Sequence, residues 1–170
     1  MKSFSGQQQL TNGKKLLPPD KYKDIIIDSL NYLRNTGKID VFGFVIMPNH
    51  IHLTWRTKEL KGKETAQGSF LKYTAHEFRK MLYQENKNEL LLYQVNAHNK
   101  QHEFWQRDSL AILLFSKEIE FQKLDYIHYN PVAEHWQLSK GPYEYKYSSA
   151  AFYGLDRNSF PFLKDLRNEF

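Results

Sequence analysis

The chain contains no cysteine, so disulfide stapling is excluded. It also lacks an uninterrupted apolar run of about 18 residues, the length that spans a bilayer, and shows no secretory signal pattern. No membrane partner is therefore expected, and the cytosol is the default location. Nor is there an acidic excess: 24 Lys and Arg stand against 19 Asp and Glu, giving a formal charge of +5. What is present is 170 residues, 41% hydrophobic, enough for one domain with a real core. Aromatic residues make up 15% of the chain. A basic, aromatic-rich surface suits single-stranded nucleic acid, with Lys and Arg following phosphates and rings stacking on bases, although many ordinary proteins share this composition.

The organising stretch is Gly43 to Trp55, GFVIMPNHIHLTW. It reads as an apolar strand, a Met-Pro-Asn turn and a second strand with polar residues at alternate positions. His50, His52, Thr54 and Arg56 share one parity; Ile51, Leu53 and Trp55 share the other, and in a strand the two parities face opposite ways. Two imidazoles about 6 to 7 Å apart along a strand can converge on one divalent ion, histidine being the commonest side-chain metal ligand. The plainer alternative is two histidines on the solvated face of a half-buried strand, with their rings contributing little to the core.

Along the chain, Met1 to Lys15 is polar and Gln-rich without apolar alternation and reads as a flexible arm. A helix follows Pro18-Pro19, with Tyr22, Ile25, Ile26, Leu30 and Leu33 at helical spacing, and Gly37 ends it. Ile39 to Ile46 is apolar on both parities, as expected of a strand covered on both sides. A second helix runs from about Gln67 to Gln84 on a stripe that includes Phe70, Thr74 and Phe78. Lys72 and Arg79 lie off that stripe and are candidates for phosphate contact, with a solvated charged face as the alternative. In the extended segment after Glu103, Trp105 and Arg107 share a parity, so one face could present a stacking ring and a phosphate ligand together; a core Trp beside a structural Arg is the other reading. Ser116 caps a further helix that Pro131 stops. On it Tyr126 and Asn130, four apart, lie on one face. Tyr143, Tyr145 and Tyr147 read as packing residues.

Three blocks in order carry a family resemblance: VIMPNHIHL, then FWQRDSLAI at Phe104 to Ile112, then KLDYIHYNPV at Lys123 to Val132. Together they resemble the single-tyrosine HUH transposases, in particular the REP-associated tyrosine transposases and their insertion-sequence relatives, over about Lys21 to Tyr153. The resemblance implies an α+β fold, a ferredoxin-like antiparallel sheet with helices packed on one face and the site on the other, beneath the Tyr126 helix. It implies metal-dependent cleavage and rejoining of single-stranded DNA through a 5′-phosphotyrosine. Tyr126 would be the nucleophile, with Tyr129 as its rival. His50, His52 and Asn130 would hold Mg²⁺ or Mn²⁺; imidazole chemistry by itself leans to Zn²⁺ or Mn²⁺. The DNA would carry a hairpin or palindrome, and a homodimer is compatible with the family. Relatives usually open with a short apolar strand, whereas here either residues 3–10 pair weakly or the N-terminus departs from the pattern. The expected organisation is an arm (1–15), a nuclease domain (16–156) and a peripheral tail (157–170). Two other functions fit the same residues: a catalytically inactive single-stranded DNA-binding descendant, and a His-x-His phosphodiesterase for a small substrate.

Overall fold

The alternation around the Met-Pro-Asn turn decides the architecture, because it gives one hairpin two different faces. In the computed structural model, which describes residues 3–58, 64–107, 110–114 and 116–170, the chain runs β1 (Ser3–Gln9), α1 (Asp20–Asn35), β2 (Ile39–Ile46), β3 (His50–Thr57), α2 (Ala66–Glu85), α3 (Lys87–Leu91), β4 (Gln94–Ala97), β5 (Lys100–His102), β6 (Leu110–Leu114), α4 (Lys117–Tyr129) and α5 (Ala150–Leu155). Four strands form one antiparallel sheet in the order β2-β3-β1-β6, and β4 and β5 make a separate hairpin. With α1 and α2 as the two crossovers, this is the ferredoxin-like α+β arrangement expected. No helix among the described residues is long and apolar enough to cross a membrane.

The largest departure from expectation is the N-terminus. Residues 3–9 are not a flexible arm but a strand near the middle of the sheet, paired to β3 through Phe4 opposite Trp55 and Gln9 opposite His50, and to β6 through Ser3 opposite Leu114. The strand gains its stability from ladder hydrogen bonds on both edges rather than from its own apolar pattern, which is why composition misread it.

Ile51, Leu53 and Trp55 of β3 and Val41, Phe44 and Ile46 of β2 join Ile26 and Leu30 of α1 and Phe70 and Phe78 of α2 in the main core. Gly37, at φ 72, supplies the left-handed turn after α1. Thr65 caps the start of α2, its side chain accepting the Gly68 N–H at 3.0 Å.

The opposite face packs against α4. Leu124 and Ile127 meet Phe42, Val45 and Met47 in a second cluster that also takes in Leu166. Residues 157–170 are accordingly not peripheral: Phe162 and Leu166 are fully buried, and Glu169 pairs with Arg56 at 2.6 Å and Lys164 at 2.7 Å. A Cβ on Gly43 would collide with Leu124 Cδ2, so the helix rests directly on β2 backbone.

Candidate nuclease site

β3 brings His50 and His52 to the α4 side of the sheet, and the register places Gln9 and Gln7 of β1 beside them on that same side. From above, α4 contributes Tyr126, and the turn that follows contributes Asn130. These residues line an open cleft of about 480 Å³ together with Tyr129 and Trp136, a size in the usual range for ligand sites.

The helix is held at both ends. Ser116 caps its start, accepting the Ile119 N–H at 3.4 Å. Near its C-terminus the buried His128 ring donates from Nε2 to Ser149 Oγ at 2.7 Å. That hydroxyl in turn accepts the Phe44 N–H at 2.9 Å and donates to the Phe44 carbonyl at 3.2 Å. One serine therefore ties α4 to the sheet two residues from Tyr126. Burial pushes His128 down to about 4, so the ring is neutral at pH 7, as an uncharged clamp requires.

His50 Nδ1 lies 2.6 Å from Asn49 Oδ1, which sets the tautomer: Nδ1–H donates to the amide oxygen and the Nε2 lone pair faces the cleft. His50 Nε2 and His52 Nε2 are 3.2 Å apart. Ligand nitrogens bonded at about 2.1 Å to one ion stand about 3.0 to 3.4 Å apart in octahedral or tetrahedral geometry, so the pair fits a shared cation. Asn130 Nδ2 is 3.2 Å from His52 Nε2, and rotation of that amide presents its oxygen to the same point. Among the described residues no group of three His, Cys, Asp or Glu side chains assembles. A cation here would rest on two imidazoles and one amide oxygen, a donor set open to further oxygen ligands.

Contrary to the expectation of solvated rings, His50 and His52 are only 6% and 7% exposed. Burial, with the neighbouring His135, pushes His50 down to about 4; burial, then His50 and Lys123, pushes His52 down to about 3. Both are neutral at physiological pH, the form that binds metal. The ring of Tyr126 stands edge-on to His52, centroids 5.9 Å apart, and remains 59% exposed. Lys123, one turn earlier, sets its ammonium 5.6 Å from the centre of the Tyr126 ring. Tyr129 lines the same cleft but makes no ring contact with either histidine among the described residues.

The four residues proposed for DNA contact do not join this cleft. Trp105 is buried between Phe70 and Phe78, with its indole N–H donating to Thr74 Oγ1 at 2.9 Å, so it cannot stack on a base. Among the described residues it makes only an isolated bridge to Leu10, and the strand spans Leu110–Leu114; Asp108 and Ser109 of the second block lie outside the described residues. Arg107 is exposed, paired to Glu103 at 3.4 Å, and faces a different cleft with Asn12 and Gln106. Lys72 and Arg79 sit on α2, across the sheet from the histidines, with Lys72 paired to Glu64 at 3.5 Å. Sequence reading missed Lys123, which the same helical spacing that linked Tyr126 to Asn130 could have flagged. It also missed Gln7 and Gln9, whose place needed the sheet register.

The chain shares its fold with a REP-associated tyrosine transposase. That structure, bound to a REP hairpin, aligns over 97% of this chain and 87% of its own at 15% identity and a TM-score of 0.61. A protein of Deinococcus radiodurans described as a candidate transposase aligns over 75% of this chain and 89% of its own, at 15% identity and a TM-score of 0.43. Neither the known protein-family profiles nor the curated protein sequences contain a match.

Proposed function

We propose that this protein is a transposase-like endonuclease of the HUH type that cuts and rejoins single-stranded DNA through a 5′-phosphotyrosine. The observation that carries this reading is convergence: two neutral imidazoles from a buried strand, one amide and one exposed phenol from a single helical segment meet in one cleft. The shared fold with a hairpin-bound transposase supports the substrate class. His50, His52 and Asn130 would hold Mg²⁺ or Mn²⁺, and the ion, when bound, supplies charge stabilisation to a phosphate oxygen.

Tyr126 provides the nucleophile. Its phenol oxygen forms a bond to phosphorus while the bond to the 3′-oxygen breaks; the phenol proton is released to water, and the 3′-oxygen leaves as a hydroxyl after taking up a proton. The phosphodiester energy is retained in the tyrosyl ester, so the same residue can return the strand to a 3′-hydroxyl. Lys123 places a positive charge beside the ring that will carry the phosphate. His128 and Ser149 hold the helix while the ester exists.

The test is denaturing electrophoresis of the protein with end-labelled single-stranded hairpin DNA and Mn²⁺. Wild type and Tyr129→Phe should retain label on the protein, whereas Tyr126→Phe, which removes one oxygen and keeps the ring, should bind DNA and retain none. Label captured by Tyr126→Phe would move the nucleophile to Tyr129. Binding without capture by the wild type would favour the non-catalytic descendant.

A further inference from the structure

β1 is an unusual central strand. Its sequence, SFSGQQQ, carries three successive glutamines where β-branched or aromatic residues are favoured. Gln8 points to the α1 and α2 side, is 7% exposed and donates from Nε2 to the Gln106 carbonyl at 2.7 Å. It is a packed structural residue. Gln7 and Gln9 point the other way, lie opposite His52 and His50 in the ladder and line the cleft. Both are half-buried, and among the described residues neither side-chain amide makes a hydrogen bond. Two half-buried amides facing an open cleft, each with a donor and an acceptor side by side, give the fold no internal return.

Such an amide matches the edge of a nucleobase. Glutamine makes paired hydrogen bonds to adjacent donor and acceptor atoms of a base, and in single strands the Watson–Crick edge is free for the same contact. The two positions are about 7 Å apart along the strand, far enough to address two separate bases. Across the cleft stand Tyr129, which is exposed, and Trp136, which is half-buried with its ring 5.9 Å from that of His50, and an exposed ring such as that of Tyr129 is what unstacked bases pack on.

We propose that Gln7 and Gln9 read the nucleobases flanking the phosphate bound at His50 and His52, and so determine which single-stranded sequence is accepted. This rests on reading the cleft as the DNA-cutting site, but it is measurable through binding alone. The experiment incubates the full chain with a hairpin oligonucleotide library carrying a randomised single-stranded flank, in Mn²⁺, and sequences two pools: strands retained at equilibrium, and strands covalently captured. The readout is the ratio between bases at each flank position within a pool, which is independent of yield.

Wild type should prefer one base by roughly tenfold or more at one or two flank positions. Gln7→Met and Gln9→Met, which keep length and remove the amide, should each flatten the preference at a different position. The proposal is overturned if the retained wild-type pool shows no preference at any flank position, or if both variants keep the wild-type pattern. A bound-pool preference that the variants erase, with no captured strands at all, would uphold base reading while overturning cleavage; capture without preference would do the reverse.

Discussion

The two faces of the sheet use the same strands for opposite purposes. On the α1 and α2 side, Ile51, Leu53 and Trp55 of β3 lie in a continuous apolar core with Phe70 and Phe78. On the α4 side, the intervening residues His50 and His52 are equally buried, yet they border an open cleft with a half-exposed tyrosine above them. Burial alone therefore does not tell core from site. The distinguishing mark is what the buried atoms point at: carbon around Ile51, Leu53 and Trp55, and imidazole nitrogens with amides around His50 and His52.

Substitutions that hit one face and spare the other should separate stability from chemistry. The largest effect is expected from His52→Gln, which removes one of the two imidazoles proposed to hold the metal. Strand capture should fall by roughly a thousandfold or more, while metal titration shows lost affinity and thermal unfolding stays near wild type. Phe78→Ala should do the reverse, costing about 3–5 kcal/mol of stability through its cavity, while capture per folded molecule, measured well below the unfolding transition, is retained. If Phe78→Ala abolished capture in the folded state, the two faces would not be independent.

Gly43→Ala lies between these extremes. It inserts a methyl where Leu124 rests, and overpacking of this kind costs about 1–3 kcal/mol. Because it lifts α4, it should also reduce capture by up to about a hundredfold; a wild-type rate in this variant would mean that the helix position is not critical.

The smallest expected effect concerns pH. His128, held down to about 4 by burial, titrates near 6.5 when unfolded. Below pH 6.5 the unfolded chain binds a proton that the folded one refuses, so stability is full above about 6.5 and declines as pH falls toward 4, by about 2 kcal/mol at pH 5. His50 and His52 add declines of the same sign. Urea midpoints from pH 7 to pH 5 should fall less steeply in His128→Gln than in wild type, and parallel slopes would count against a neutral clamp.

Much of this was legible from local pattern. The β2–β3 hairpin, the Ser116 cap and the pairing of Tyr126 with Asn130 all follow from spacing between near neighbours, where side-chain direction is set by strand or helix geometry. What escaped was non-local. Gln7 and Gln9 are unremarkable until the ladder with β3 places them beside the histidines. Trp105 looked like a free ring because its partner, Thr74 Oγ1, lies on another element. Residues 157–170 looked peripheral because the burial of Phe162 and Leu166 depends on β2 and α4. Polar strands and solvent-like parities mislead whenever a distant segment covers them.

The middle position of β1 also has a meaning in time. Ser3 pairs with Leu114 and Phe4 with Trp55, so the sheet cannot close until segments far along the chain have appeared, and such long loops slow folding. A hydrophobic strand waiting that long with both edges bare would be prone to pair with other chains. Glutamine and serine make β1 a poor seed for such pairing, while its backbone still zips into place once β3 and β6 are ready. The polarity that opens the cleft to ligand would thus also keep the unfinished chain soluble.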